Sequence, residues 1–165
     1  IAFWFGTGGD IPVAGDWNGD GIDEIGVFRN GPWYLDYNGN RVWDPESGDI
    51  AFWFGTGGDI PVAGDWNGDG KDKIGVFRNG PWYLDYNGNM EWDPLSGDVS
   101  FWLGTGGDAA ITGDWNGDGK DKIGVFRNGP WYLDYNGNME WDPLSGDVSF
   151  WLGTGGDKPV SGRWS

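Results

Sequence analysis

The chain has 165 residues, a net charge of −16 and 14 tryptophans, and it contains neither histidine nor cysteine. A polyanion of this size is repelled by nucleic acid and by anionic lipid surfaces, so we expect neither as a partner. The chain also lacks the side chains that most often serve as general bases or thiol nucleophiles. No apolar run reaches the length of a membrane span. These absences favour a non-catalytic protein with no membrane insertion.

The sequence repeats itself with a period of 49 residues. The period is shown by four equivalent tryptophans, Trp4, Trp53, Trp102 and Trp151. The segment 64–108 is also identical to the segment 113–157. A fixed period of this size is typical of arrays whose units bury their faces against each other. We interpret residues 1–165 as a single repeat array. Its repeats lie at about 1–49, 50–98 and 99–147, and a partial repeat follows at 148–165.

Within the repeat 50–98, the pattern predicts short strands joined by tight turns. In chain order, the predicted strands are 51–54, 61–66, 73–78 and 81–86. Asn79-Gly80 is a strong hairpin signal, because both central residues of such a turn need a positive φ. No segment has the apolar period of a helix. The predicted fold class is therefore all-β, with tandem four-stranded antiparallel repeats.

A four-stranded unit of this length has the size of a β-propeller blade. Closed propellers need about four to eight blades, whereas this chain holds three units, a leading strand at 2–5 and a trailing strand at 159–164. The array is thus predicted to be incomplete or open unless it is extended or oligomerised. The expected partners are copies of the chain, associating through exposed end strands, or further repeats of a longer chain. An open twisted stack of sheets would also satisfy the sequence.

One polar loop in each repeat has the spacing of a calcium-binding loop. Oxygen side chains occupy its positions 1, 3 and 5, and glycine occupies position 6, which suits a hard cation. Position 9 is Glu24 in the first copy but Lys73 and Lys122 in the others, and lysine offers a cation no acceptor. Aspartates at position 8 could substitute there. The candidate ligands are Asp16, Asn18, Asp20 and Glu24; Asp65, Asn67 and Asp69; and Asp114, Asn116 and Asp118.

A second loop in each repeat also carries oxygen side chains at cation-binding spacing. Its position 6 is Arg41, Met90 or Met139 instead of glycine. The alternative for both loops is a plain turn, because Asn-Gly and Asp-Gly are common turn dipeptides. The candidate ligands are Asp36, Asn38, Asn40 and Asp44; Asp85, Asn87, Asn89 and Asp93; and Asp134, Asn136, Asn138 and Asp142.

Three blocks of the repeat resemble the FG-GAP repeat of integrin α-subunit propellers and of related bacterial and archaeal surface proteins. The blocks are Phe54-Gly55, Gly58-Asp-Ile-Pro-Val-Ala63 and Asp65-x-Asn-x-Asp-Gly70. The resemblance implies a propeller blade in which a calcium loop joins the first two strands. It also implies an extracellular or cell-surface location and an adhesive or scaffolding role. The lysines at position 9 depart from the family pattern.

The function predicted from the sequence is a structural or adhesive scaffold that assembles into a larger array or filament, with calcium as a stabilising ion. Nearly identical repeats with open ends suit growth into a filament through a heterologous interface. The alternative is a carbohydrate-binding propeller, in which Trp33, Tyr34 and Tyr37 stack on sugar rings beside Asp36 and Asn38. Catalysis is not expected, because nearly every acid is copied in equivalent surroundings, whereas an active site needs asymmetry.

Overall fold

The computed structural model describes residues 2–162 and is all-β, with three four-stranded antiparallel sheets in tandem. The strands of the first sheet are β1 (Ile11–Gly15), β2 (Glu24–Phe28), β3 (Pro32–Leu35) and β4 (Ile50–Trp53). Those of the second are β5 (Ile60–Gly64), β6 (Lys73–Phe77), β7 (Pro81–Leu84) and β8 (Val99–Trp102). Those of the third are β9 (Ala109–Gly113), β10 (Lys122–Phe126), β11 (Pro130–Leu133) and β12 (Val148–Trp151).

Each sheet is a simple meander in which every strand pairs with the next. A 3-10 turn at Pro45–Ser47 precedes β4. The Asn79-Gly80 hairpin forms as predicted, with Asn79 at φ 54° and Gly80 at φ 134°. The fold-class prediction is therefore confirmed, including the open arrangement of four-stranded units.

The position of the Phe-Trp strand within its sheet differs from the prediction. We placed the strand 51–54 first in the unit, but Ile50–Trp53 pairs with Pro32–Leu35 and is the last strand of the preceding sheet. The three sheets thus cross the boundaries that we drew at residues 50, 99 and 148, one boundary for each sheet. The loop at Asp16 consequently joins the first two strands of its sheet.

The predicted leading and trailing strands are not seen. Residues 2–5 form no strand, whereas the equivalent segment Ile50–Trp53 pairs with the third strand of the first sheet. Residues 159–162 also form no strand, and the last two residues of that prediction, Arg163 and Trp164, lie outside the described residues.

Each sheet has two different faces, because adjacent residues of a strand point to opposite sides. In the second sheet, Phe77, Trp82 and Leu84 lie on one side, which we call the tryptophan face. Ile74 and Val76 lie on the other side, which we call the aliphatic face. Equivalent residues give the other sheets the same two faces.

The sheets stack by packing the tryptophan face of one sheet on the aliphatic face of the next. Trp33 and Phe28 of the first sheet share a core with Ile74 and Val76 of the second. Trp82 and its neighbours form the next core with equivalent residues of the third sheet, Ile123 and Val125. The first strands of neighbouring sheets, β1, β5 and β9, lie side by side at one edge of the stack.

Backbone and carboxylate hydrogen bonds clamp neighbouring sheets together near this edge. The Asp16 N–H donates to Asp72 Oδ2 and the Asp72 N–H donates to the Asp16 carbonyl, both at 2.9 Å. Asp65 and Asp121 repeat this exchange at 3.0 and 2.9 Å. The two sheets approach each other so closely at these hydrogen bonds that the neighbouring residue must be glycine. A Cβ at Gly64 would lie 2.8 Å from the Asp121 Cβ. In the second and third copies, the position-8 aspartates Asp72 and Asp121 therefore bind the preceding unit and not a cation in their own loop.

The carboxyl group of Asp72 has a raised pKa in this junction. Burial raises its pKa from 3.8 to about 6, opposed by the hydrogen bond from Asp16, and the carboxylates of Asp121, Asp23 and Asp65 raise it further. The folded chain therefore takes up a proton between about pH 6 and pH 4, where the unfolded chain does not. The stability that this proton contributes is present below pH 4 and is lost as the pH rises through 6.

We predict that Trp82→Ala lowers the free energy of unfolding by about 3–5 kcal/mol. Trp82 is fully buried, and its indole N–H donates to the Leu103 carbonyl at 2.8 Å. The matched control is Trp102→Ala, because Trp102 is 68% exposed and its loss should cost less than about 1 kcal/mol. Urea unfolding of both variants measures the difference, and equal losses would contradict the proposed role of the tryptophan face.

We predict that Asp72→Asn raises stability at pH 7.5 by about 1 kcal/mol after allowance for solvent screening, and that this gain disappears at about pH 3.5, below the unfolded pKa. The amide keeps the acceptor for the Asp16 N–H but removes the buried charge. Thermal unfolding in EDTA at both pH values measures the change in stability, with Glu91→Gln as a control at an exposed position. A stability gain that is independent of pH would show that Asp72 is not the titrating group.

Candidate metal centre

Two polar loops in each sheet contain all of the predicted ligands. The loop between the first and second strands, which we call the strand 1–2 loop, spans 16–24, 65–73 and 114–122 in the three copies. The loop after the third strand, which we call the strand 3–4 loop, spans 36–44, 85–93 and 134–142. The structure therefore brings each predicted set together in one loop.

The strand 1–2 loop curls around its first aspartate. Asp16 Oδ1 accepts the N–H groups of Gly19 and Asp20 at 2.7 and 3.0 Å, and Oδ2 accepts that of Gly21 at 2.8 Å. Gly21 has φ +87°, a conformation that side chains disfavour, as predicted for position 6. Asp65 and Asp114 accept the same three bonds in their copies.

In the first copy, three carboxylates converge. One oxygen from each of Asp16, Asp20 and Glu24 lies within 4.8 Å of the other two. Glu24 is buried, and its Oε2 accepts the Trp17 N–H at 3.2 Å. Burial raises the pKa of Glu24, and the nearby charges of Asp20 and Asp16 raise it further. This is the electrostatic signature of a site that lacks a positive charge.

Asn18, which we also predicted as a ligand, forms hydrogen bonds inside this copy of the loop. Its amide nitrogen donates to Glu24 Oε1 at 3.0 Å, and its amide oxygen accepts the Asp20 N–H at 2.9 Å. Asn18 thus holds Glu24 and the loop in position, whereas three carboxylates form the candidate ligand set.

In the second and third copies, a lysine ammonium lies among the loop oxygens. Lys73 Nζ donates to Asp69 Oδ1 at 2.6 Å, to Asp65 Oδ1 at 3.3 Å and to the Lys71 carbonyl at 2.8 Å. The third copy repeats this arrangement at 2.7, 3.3 and 2.8 Å around Lys122. The hydrogen bond from Lys122 holds the pKa of Asp118 at about 2.

Asn67 and Asn116 also turn their amide nitrogens toward carboxylates, as Asn18 does. Each donates to the position-5 aspartate of its own loop at 3.1 Å. These two residues, predicted as ligands, therefore use their amide nitrogens on the neighbouring acid.

The strand 3–4 loop also folds around its first aspartate, as the strand 1–2 loop does, although it has no glycine at position 6. Asp85 accepts the N–H groups of Gly88, Asn89 and Met90 at 2.8 to 3.0 Å. Met90 has φ 68°, and its equivalents Arg41 and Met139 have nearly the same value. The three hydrogen bonds to the buried aspartate hold a non-glycine residue in the left-handed region.

The strand 3–4 loop satisfies its own polar groups with hydrogen bonds inside the loop. Asn87 and Asn89 each donate an amide N–H to a different oxygen of Asp93, at 2.8 and 2.9 Å. The amide oxygen of Asn87 accepts the Asn89 N–H at 2.9 Å. Asn38 and Asn40 bind Asp44 in the same way, as do Asn136 and Asn138 with Asp142. Amide nitrogens, and not oxygens, face the acid in all three copies.

The predicted sugar-stacking patch does not form one surface. Trp33 is fully buried in the first core, so no ligand reaches its ring. Tyr34 is the next residue of the strand and lies on the opposite face, below Arg29 at 4.8 Å and against Trp43. Tyr37 packs against the first core.

Four other tryptophans, which we did not assign to sugar binding, are the most exposed ones within residues 2–162. They are Trp4, Trp53, Trp102 and Trp151, which are 96%, 69%, 68% and 72% exposed. Alternation along the strand could have indicated that Trp53, Trp102 and Trp151 are exposed. The phenylalanine that precedes each of them occupies the inward position.

Comparison with known proteins gives no further assignment: no family model, curated protein or solved structure matches the chain significantly. Within residues 2–162, no helix is long and apolar enough to cross a membrane. The FG-GAP resemblance and the roles it implies therefore remain expectations.

Proposed function

We propose that the protein is a non-catalytic scaffold of the extracellular space or cell surface, which assembles head to tail into a larger array and is stabilised by calcium. The observation that carries this proposal is the uncovered tryptophan face of the third sheet. The extracellular location follows from the FG-GAP resemblance and agrees with the strongly acidic composition.

Identical residues are covered in the second sheet and uncovered in the third. Leu103 is 6% exposed, whereas Leu152, at the equivalent position, is 65% exposed. Phe101 is half-buried, and its equivalent Phe150 is 42% exposed. The difference arises because the third sheet packs on the second, whereas nothing within residues 2–162 covers the tryptophan face of the third. The same surface that forms the internal interfaces is therefore available for another unit.

The opposite end of the stack offers the complementary surface. Ile25 on the aliphatic face of the first sheet is half-buried, whereas its equivalent Ile74 is only 2% exposed. Asp23, the equivalent of the clamping residue Asp72, is exposed at this end, and Asp114 is exposed at the other. Two copies can therefore repeat the internal junction, and such a heterologous interface propagates into a ring or a filament.

The calcium part of the proposal rests on the first strand 1–2 loop. Asp16, Asp20 and Glu24 supply the hard oxygen ligands that calcium prefers, close together and without an internal positive charge. Extracellular modules typically bind calcium with dissociation constants of about 10⁻⁴ to 10⁻³ M, which suits a stabilising ion outside the cell.

Carbohydrate binding remains the second candidate function, carried by a different set of residues from the one predicted. Trp53, Trp102 and Trp151 repeat at the same position of successive sheets and leave most of the indole exposed. An exposed aromatic ring is a stacking surface for a sugar. A glycan array without hits would remove this candidate.

We predict that the protein associates in a concentration-dependent way and that Leu152→Asp weakens this association at least about tenfold, because it places a charge in the apolar junction. Leu144→Asp is the matched control, since Leu144 is fully exposed on a loop. Light scattering and negative-stain microscopy measure the assembly. A lone 18.1 kDa monomer at every concentration would overturn the assembly proposal.

We predict that saturating calcium stabilises the protein by about 2–3 kcal/mol relative to EDTA, since an ion that binds only the native state must stabilise it. Glu24→Gln should abolish this response, whereas Asp44→Asn in the strand 3–4 loop should leave it unchanged. Thermal unfolding with and without calcium measures both. A melting temperature of the unmodified protein that ignores calcium would contradict the site.

A further inference from the structure

We infer that Lys73 and Lys122 are resident cations: their ammonium groups take the place that a metal ion would occupy in the second and third strand 1–2 loops. The inference concerns the two copies that lack a glutamate at position 9. It follows from comparing three loops that share one backbone shape and differ at position 9 and at position 7, which contributes its backbone carbonyl and is Ile22, Lys71 or Lys120.

The ammonium is bound by the atoms that a loop of this type presents to a metal. Lys73 Nζ contacts the side chains of positions 1 and 5, Asp65 and Asp69, and the carbonyl of position 7, Lys71. Calcium loops use side-chain oxygens at positions 1 and 5 and the carbonyl at position 7. An ammonium has three N–H donors, and each has one of these oxygens as its acceptor.

Burial shows that the ammonium is a built part of the loop. The Lys73 and Lys122 side chains are only 5% and 4% exposed, although the position-5 aspartates that they bind are about half exposed. A buried charge needs partners of opposite sign and satisfied hydrogen bonds, and both lysines have them. A metal ion could enter only if the ammonium left this position.

The first loop is the exception that makes the comparison informative. Glu24 replaces the lysine, so the loop gains a carboxylate and loses its internal positive charge. We conclude that the chain has one loop open to a divalent cation and two loops that carry their own cation. The count of one rests on the calcium site proposed above, whereas the assignment of the lysines does not.

The test is isothermal titration of the full chain with calcium chloride. We expect one bound calcium for the unmodified protein and two for Lys73→Glu, which recreates the carboxylate set of the first loop. Lys158→Glu is the matched control, because it makes the same charge change on an exposed residue outside these loops, and should still bind one. Glu24→Lys should bind none and should melt at the same temperature with calcium and with EDTA.

The outcomes separate this inference from the calcium proposal. No binding to the unmodified protein together with one calcium on Lys73→Glu would support the lysine assignment and remove calcium from the first loop. Three calcium ions on the unmodified protein, or no additional ion on a folded Lys73→Glu, would overturn the lysine assignment.

The inference stays testable if Lys73→Glu does not fold without metal. Calcium should then restore the β-sheet circular dichroism of Lys73→Glu, and a failure to restore it counts against the inference. Glu24→Lys provides the converse test, because a resident ammonium should raise the melting temperature in EDTA above that of the unmodified protein. A lower melting temperature in EDTA would show that lysine does not replace the ion.

Discussion

The fold depends on one contact: the tryptophan face of each sheet against the aliphatic face of the next. A four-stranded sheet of short strands buries too little by itself, and its large rings become fully buried only when a second sheet covers them, as Trp33 and Trp82 are. Each unit is therefore stable only as a neighbour of another unit. The same dependence leaves an apolar surface at the end of any open stack.

Much of the architecture could be predicted from the repeat, but the order of strands could not. The apolar runs and the Asn79-Gly80 turn located the strands because these are local signals. Local signals do not say whether a Phe-Trp strand opens one unit or closes the unit before it. Pairing of Ile50–Trp53 with Pro32–Leu35 decides this, and that contact is a property of the folded chain.

The spacing of acids and amides located the loops, but not the atoms that face each other. Asparagine offers an oxygen or a nitrogen, and Asn87 shows that backbone N–H groups claim the oxygen and leave the nitrogen for Asp93. The sequence showed Lys73 as a departure from a calcium loop. Its hydrogen bonds to Asp65 and Asp69 could not be predicted, because they depend on the folded shape of the loop. Trp33 was misjudged because tryptophan serves equally in cores and on surfaces.

The cation loops lie at the joints of the stack, which links charge to assembly. Asp16 provides a carboxylate to the first loop, while its backbone exchanges two hydrogen bonds with Asp72 of the next sheet. The stem of Lys71 also lies over Gly19 of that loop, so the next unit covers it directly. A positive charge in the loop, whether metal or ammonium, therefore offsets the acidity of a junction between sheets. Lys73 and Lys122 supply that charge in the second and third loops, whereas the first loop has Glu24 at the same position.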